Sequence, residues 1–144
     1  MKLSYDDIFK YSDVLNPISP ITLFKAGKLA ELNSNRVILD IGSGKGFPSI
    51  LWASLFGIKV EGYDFGSGFV QYANSRAELL NLSHRVKFYC KDIKEFKVIR
   101  EHDFVASLGL GIAHIFGNIS DALKQLRTML RKGGVYYLQN LSDY

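Results

Sequence analysis

A short apolar run leads directly into three closely spaced glycines, and no other feature of the chain constrains its fold as strongly. The run occupies residues 37–41, Gly42, Gly44 and Gly46 follow it, and Pro48 comes next. Glycines let a backbone turn sharply and let a ligand approach where a Cβ atom would block it. Proline is tolerated in the first turn of a helix, where its missing N–H would have no partner. The segment therefore predicts a strand, a ligand-binding turn and a helix in succession.

Short β-branched runs alternate with segments of helical length along the rest of the chain. We expect strands at residues 37–41, 59–63, 86–89, 104–108 and 135–138, and helices at 48–56, 69–81, 93–99 and 119–131. Gly133 and Gly134 would end the last helix, because glycine readily adopts the left-handed conformation of a helix C-cap. The alternation predicts an α/β fold with a doubly wound, mainly parallel five-stranded sheet and helices on both faces.

Length, charge and cysteine content narrow the class of protein. The chain has 144 residues, enough for about one domain, and a formal net charge of +4. Asp6 and Asp7 interrupt its start, so we expect no signal peptide and a cytoplasmic protein. Glycines interrupt the longest charge-free stretch, residues 104–120, so we expect no membrane segment. The single cysteine, Cys90, leaves no pair for a disulfide or a zinc site, so we expect no metal. Five basic residues recur at roughly helical spacing: Lys87, Lys91, Lys94, Lys97 and Arg100. Because few aromatic residues lie among them, they favour a solvated face over a nucleic-acid surface.

Two common phosphate-binding loops do not fit these glycines. A dinucleotide loop needs two residues between its second and third glycines, whereas only Lys45 separates Gly44 from Gly46. A Walker loop needs Ser or Thr after its lysine, and here a glycine follows. Asp40, at the end of the strand, would repel a pyrophosphate but would suit a ligand with an ammonium or sulfonium group.

The pattern Asp40-x-Gly42-x-Gly44-x-Gly46 after an apolar strand resembles motif I of the class I S-adenosylmethionine-dependent methyltransferases. Residues at the later strands also match the family: Asp64 at the end of the second strand, Asp92 after the third, and residues 104–109 at the fourth. Residues 130–134 resemble the family's turn before the fifth strand. The resemblance spans about residues 35–140. It implies a Rossmann-like fold with strand order 3-2-1-4-5. It also implies S-adenosyl-L-methionine as the cofactor and S-adenosyl-L-homocysteine as the product.

The resemblance also supplies candidate cofactor contacts. In the family, the acid after the second strand hydrogen-bonds both ribose hydroxyls, and Asp64 stands at that place. An acid with an apolar neighbour contacts the adenine, and Asp92 with Ile93 match it, while Phe65 would pack on the base. Either acid has an alternative interpretation as a helix cap. Altogether the residues expected to bind the cofactor are Asp40, Gly42, Ser43, Gly44, Gly46, Asp64, Phe65, Asp92, Ile93, Leu108 and Gly109.

Few side chains suggest direct catalysis, and methyl transfer from a sulfonium needs orientation and a dry site more than a catalytic group. Where a proton must leave the acceptor, His114 is a candidate base, with a structural role at a helix end as the alternative. Tyr11 is a second candidate, although aromatic residues at its spacing also occur as packing groups. His84 and His102 are expected to face solvent.

The expected domain organisation has two parts. Residues 1–34 resemble the helical lid of family members that act on small molecules, and residues 35–144 form the expected methyltransferase core. We therefore expect methyl transfer to a small-molecule acceptor. A cofactor-binding module or a truncated methyltransferase, without activity in either case, is one alternative. A nucleic-acid methyltransferase is another, although no Asn-Pro-Pro-Tyr-type motif follows the fourth strand.

The fifth strand has a further consequence for assembly. The family's sheet usually continues with two more strands, and we expect this chain to lack them. The fifth strand, residues 135–138, would then be an exposed edge. Unpaired edge strands tend to pair with another chain, so we expect a homodimer through this edge.

Overall fold

A computed structural model of the chain describes residues 11–13, 15, 18–94, 102–107 and 115–138. The helices in these ranges are α1 (Pro20–Leu29), α2 (Phe47–Phe56), α3 (Ser67–Leu79) and α4 (Ile119–Met129). The strands are β1 (Val37–Ile41), β2 (Lys59–Asp64), β3 (Val86–Cys90), β4 (His102–Ser107) and β5 (Leu130–Leu138). None of these helices is long and apolar enough to cross a membrane.

The strands form one sheet in the order β3-β2-β1-β4-β5, and neighbouring strands run parallel. The predicted α/β fold and strand order are therefore confirmed. The register places Ile41 at the end of β1 beside Tyr63 of β2. Because parallel strands end at the same edge of a sheet, the loops that follow β1 and β2 emerge side by side.

The central strand β1 is buried on both faces of the sheet. Ile38 and Leu39, which point to opposite faces, are both 0% exposed. Ile38 lies in a cluster with Trp52 of α2, and Leu39 lies in a second cluster with Leu126 of α4. A strand covered on both faces has a continuous apolar sequence, which is the pattern from which residues 37–41 were predicted.

Helix α1 packs into the same core. The Ser19 side chain accepts a hydrogen bond from the amide of Thr22 at 3.1 Å, and Pro20 occupies the first turn, so the helix begins with a good cap. Leu23 is 0% exposed, and its carbonyl accepts a hydrogen bond from Nε1 of Trp52 at 2.8 Å. The expected N-terminal helical segment thus contributes α1 to the core. The boundary between residues 34 and 35 stays a prediction.

The last helix ends earlier than expected, so the predicted glycine C-cap is wrong. α4 stops at Met129, and Leu130 is already extended, with φ −101° and ψ 136°. Leu130 is 3% exposed and pairs with His102 of β4, which draws the chain into the sheet at once. Gly133, with φ +79°, lies instead beside an irregularity in the β4–β5 pairing, between His102 and Phe104. Glycine adopts this conformation easily and accommodates the extra residues of a bulged strand.

His102 is buried, so the expectation that it faces solvent is wrong, whereas His84 is exposed as expected. β4 begins at His102, earlier than the predicted strand, and places this side chain inside the sheet with 1% exposure. Its Nε2 atom lies 3.2 Å from Oε2 of Glu61. The next residue, Asp103, accepts a hydrogen bond from the amide of Val37 at 2.8 Å and so joins the starts of β1 and β4.

Within the described residues, β5 lies at one edge of the sheet. Val135 and Tyr136 on this strand are 47% and 46% exposed. These exposures fit the expected edge, and pairing of two copies through it stays a prediction. The expected lack of two further strands also stays a prediction.

Candidate functional site

The three glycines of the predicted turn all have positive φ angles, +69° at Gly42, +51° at Gly44 and +75° at Gly46. Residues with a Cβ atom are strained in this left-handed region. A Cβ atom at Gly44 would lie 2.7 Å from Cδ1 of Leu15, and one at Gly46 would lie 2.6 Å from the Phe88 ring. A Cβ atom at Gly42 would meet no described atom within 4 Å. The positive φ angles therefore favour glycine at all three positions, the Phe88 ring also leaves no room for a Cβ atom at Gly46, and Gly42 borders open space that a ligand can enter.

The amide groups of this loop are already used inside the protein. The amides of Gly42 and Ser43 both donate to the carbonyl of Tyr63 in β2, at 2.8 and 3.1 Å. The amide of Gly46 donates to the carbonyl of Ser43 at 2.9 Å, and the amide of Gly44 donates to a carboxylate at the end of β2. A phosphate-binding loop needs such amides to point at the ligand. The loop is therefore not arranged to hold a phosphate group, in agreement with the exclusion made from its spacing.

Asp64 is the carboxylate that joins the two loops. Its Oδ2 atom accepts a hydrogen bond from the amide of Gly44 at 2.8 Å, and its Oδ1 atom accepts one from the amide of Gly66, also at 2.8 Å. The side chain is 8% exposed. Gly66, rather than Asp64, occupies the N-cap position of α3, which begins at Ser67. Asp64 thus holds the loops after β1 and β2 in one arrangement.

Asp40, in β1 next to its carboxyl end, is a buried carboxylate with an unused oxygen. Its Oδ2 atom accepts a hydrogen bond from the Ser49 hydroxyl at 2.6 Å, while Oδ1 has no hydrogen-bond partner among the described residues. Asp40 is 1% exposed. Burial raises its pKa to about 6, the Ser49 hydrogen bond opposes this effect, and the charge of Asp64 adds to it. Because a buried polar atom without a partner is costly, this oxygen is a candidate contact for a ligand.

Ser43 adds a second polar atom of this kind. Its hydroxyl oxygen is buried and has no hydrogen-bond partner among the described residues. Ser43 follows Gly42, the glycine that borders open space. Unpaired buried polar atoms are rare in folded proteins, and two in one short segment of chain point to a ligand-binding site.

The residues predicted to contact an adenine lie near the same edge of the sheet. The amide of Lys91 donates to the Asp64 carbonyl at 2.9 Å, which brings the chain before Asp92 against the end of β2. Asp92 is exposed and accepts a hydrogen bond from the amide of Lys94 at 2.9 Å, as in a local turn. Ile93 is 6% exposed and Phe65 is 72% exposed. The roles predicted for Phe65, Asp92 and Ile93 stay predictions.

Four further residues were predicted for the site: Leu108, Gly109, His114 and Tyr11. Leu108, Gly109 and His114 lie outside the described residues. Tyr11 is 91% exposed. Its predicted role as a catalytic group stays a prediction, as does that of His114.

Two residues of the site were missed by the sequence analysis. Ser49 supplies the hydrogen bond to Asp40, and its place in the first turn of α2 was a signal that could have identified it. Lys45 is 6% exposed, and its ammonium group donates to the carbonyl of Ser12 at 2.6 Å. No local pattern marks the contact between Lys45 and Ser12, because it joins residues far apart in the sequence.

Residues 38–134 match the model of a family described as a methyltransferase domain. The chain belongs to the class I S-adenosylmethionine-dependent methyltransferase family. The matched segment includes the glycine loop, Asp64 and the strands β2, β3 and β4. The family resemblance seen in the sequence is therefore confirmed.

Several relatives of this methyltransferase domain are known. It is 32% identical over 120 residues to the uncharacterized protein YjhP of Escherichia coli K12, and this alignment covers 83% of this chain and 48% of YjhP. It is 29% identical to ribosomal RNA small subunit methyltransferase G 3 of Bdellovibrio bacteriovorus, over 95% of this chain and 65% of that protein. Among solved structures, a methyltransferase from Thiobacillus denitrificans in complex with S-adenosyl-L-homocysteine superposes with a TM-score of 0.85 at 27% identity, covering 96% of this chain and 56% of that one. The chain thus spans about half to two thirds of the length of these relatives.

Substitution of Asp40 and substitution of Asp64 by asparagine should have opposite effects on the free energy of unfolding. An aspartate whose pKa is raised by folding stabilises the protein at low pH and loses that contribution as the pH rises through its folded pKa, about 6 for Asp40. We expect Asp40→Asn to raise the free energy of unfolding at pH 7 by about 1–3 kcal/mol, because its amide oxygen still accepts the Ser49 hydrogen bond.

Asp64→Asn is the matched comparison. An amide has one oxygen where Asp64 has two that accept amide hydrogen bonds, so we expect a loss of about 1–3 kcal/mol. Urea unfolding at pH 7 and pH 4 measures both effects, and the gain from Asp40→Asn should shrink at pH 4. Destabilisation by Asp40→Asn at pH 7 would contradict the description of Asp40 as an unrelieved buried charge.

Proposed function

We propose that this chain binds S-adenosyl-L-methionine at the carboxyl ends of β1 and β2 and transfers its methyl group to a small-molecule acceptor. The observation that carries the proposal is the unpartnered Oδ1 atom of Asp40 beside a glycine loop that borders open space. The complex of the Thiobacillus denitrificans relative with S-adenosyl-L-homocysteine supports the same cofactor.

The charges of the site favour a cationic ligand. Asp64 is close enough to Asp40 for its charge to raise the pKa of the Asp40 carboxyl. An ammonium or sulfonium group beside Asp40 would offset both its burial and this repulsion. A pyrophosphate would meet two carboxylates and a loop whose amides already have acceptors. S-adenosyl-L-methionine carries both kinds of cationic group, and therefore suits the site.

Asp64 is the residue that we propose to bind the ribose of the cofactor. Its two oxygens accept amide hydrogen bonds from Gly44 and Gly66, one each. A carboxylate accepts hydrogen bonds at several positions, and the ribose hydroxyls are the donors that we propose for Asp64. The amide bonds also fix the orientation of the carboxylate before a ligand arrives. Such preorganisation lowers the cost of binding.

The bound cofactor would supply an activated methyl group on a sulfonium. In the transfer, the bond from sulfur to carbon breaks as the acceptor atom bonds to the methyl carbon, and the sulfur keeps the electron pair. Asp40 and Asp64 would hold the cofactor in place, and orientation of this kind contributes about 7–11 kcal/mol to a bimolecular reaction. A neutral acceptor also loses a proton, for which Tyr11 and His114 remain the proposed groups.

A small-molecule acceptor is supported by the chain that precedes α1. Leu15 lies against Gly44, where a Cβ atom would be 2.7 Å from its Cδ1 atom, and narrows the approach to the glycine loop. An RNA acceptor is the second candidate, because one relative is named as a ribosomal RNA methyltransferase. A domain that binds the cofactor without transferring its methyl group is the third.

Calorimetric titration with S-adenosyl-L-homocysteine tests the cofactor site. We expect Asp64→Ala to weaken binding by about 1–3 kcal/mol, because the ribose hydroxyls lose their acceptor. Asp121→Ala is the matched control, since Asp121 is an exposed acid on α4 that pairs with Lys124. Failure of the wild-type chain to bind either form of the cofactor at millimolar concentration would refute the proposal.

Incubation with cofactor labelled in its methyl group tests the acceptor. We expect label in the small-molecule fraction of a cell extract and none in total RNA or in ribosomal subunits. Asp64→Ala serves as the weakened control, because at a cofactor concentration below the wild-type Kd its label transfer should fall in proportion to its loss of affinity. Label in RNA would favour the second candidate, and binding without any transfer would favour the third.

A further inference from the structure

Lys45 connects the glycine loop to a distant part of the chain. It is the one charged residue among residues 42–47, and it is 6% exposed. Its ammonium group donates a hydrogen bond to the carbonyl of Ser12 at 2.6 Å and lies 4.8 Å from the centre of the Tyr72 ring. A buried ammonium group requires such partners, and an aromatic face is one of them. Lys45 therefore contacts both the segment before α1 and helix α3.

Tyr72 holds the same segment at a second point. Its hydroxyl donates a hydrogen bond to Oδ1 of Asp13 at 2.6 Å. This hydrogen bond raises the pKa of the Tyr72 hydroxyl above its usual value. Arg76, one turn further along α3, donates to the same hydroxyl at 3.4 Å. Two successive residues, Ser12 and Asp13, are thus tied to the loop and to α3.

The tied segment lies against the part of the site that orients Asp64. Leu15 covers Gly44, so closely that a Cβ atom there would clash with it. The amide of Gly44 in turn donates to Oδ2 of Asp64 at 2.8 Å. Movement of Leu15 away from the loop would therefore uncover Gly44 and expose this hydrogen bond to water.

We propose that Lys45 and Tyr72 are positioning residues that hold Ser12, Asp13 and Leu15 against the glycine loop and thereby keep Gly44 and Asp64 in the geometry that binds the cofactor. The inference deepens the proposed function and rests on it, since it concerns the same site. Lys45 and Tyr72 act through the loop and the segment.

Limited proteolysis of the full chain without cofactor tests the attachment directly. Chymotrypsin cleaves after Tyr11, which is 91% exposed, but the residues that follow must leave the loop to enter the protease. We expect Lys45→Met, which keeps the side-chain stem and removes the ammonium group, to be cleaved about tenfold faster at this bond. Tyr72→Phe, which keeps the ring and loses only the hydrogen bond to Asp13, should shift the rate in the same direction.

Lys87→Met is the matched control. Lys87 is also placed over a tyrosine ring, 5.7 Å from the centre of Tyr89, but it is exposed and lies on β3. Its variant should be cleaved at the wild-type rate. Circular dichroism and urea unfolding establish whether each variant is folded. If Lys45→Met does not fold, Tyr72→Phe alone provides the test. Equal cleavage rates in the wild type and in the folded Lys45→Met and Tyr72→Phe variants would overturn the inference.

Titration with S-adenosyl-L-homocysteine tests the link to the cofactor. We expect Kd to rise about tenfold in Lys45→Met and to stay unchanged in Lys87→Met. Faster cleavage of Lys45→Met with an unchanged Kd would overturn the effect on cofactor binding. If the wild-type chain does not bind the cofactor, the proposed function fails, whereas the proteolysis result still decides whether Lys45 and Tyr72 hold the segment.

Discussion

The candidate site depends on one buried carboxylate at the end of a strand that is covered on both faces. Asp40 has one oxygen bonded to Ser49 and the other without a partner among the described residues. Its burial in the sheet prevents water from solvating the charge, so its pKa is raised to about 6. The neighbouring loop offers little relief, because its amides already donate to other oxygens. The site is thereby suited to a ligand that brings positive charge.

The rest of the site is arranged around this carboxylate by a second one. Asp64 accepts hydrogen bonds from the loops after β1 and β2, so the two loops keep a fixed relation to each other. The positive φ angles of the loop favour glycine, and at Gly46 the Phe88 ring leaves no room for a Cβ atom. Burial of Asp40 is unfavourable for folding, and such a local cost at a ligand-binding position is common in functional sites.

The features predicted from the sequence are those that depend on neighbouring residues. The strand–glycine–helix segment and the parallel sheet follow from local patterns, and the places of Asp40 and Asp64 follow from the strand ends. The contact between Lys45 and Ser12 joins distant residues and has no sequence signature. The buried position of His102 and the early end of α4 share a similar cause, because both follow from the pairing of β4 with β5. Tertiary pairing there overrode local glycine and helix preferences.

The pH dependence of cofactor binding tests the role of Asp40 most directly. Titration of the wild type with S-adenosyl-L-methionine by calorimetry should give a Kd that is up to about tenfold higher at pH 5 than at pH 7, because a carboxyl with a pKa of about 6 must lose its proton to meet a cation. Asp40→Asn should bind more weakly at pH 7 and lose most of this dependence. Equal wild-type affinity at the two pH values, or tighter binding at pH 5, would contradict the account.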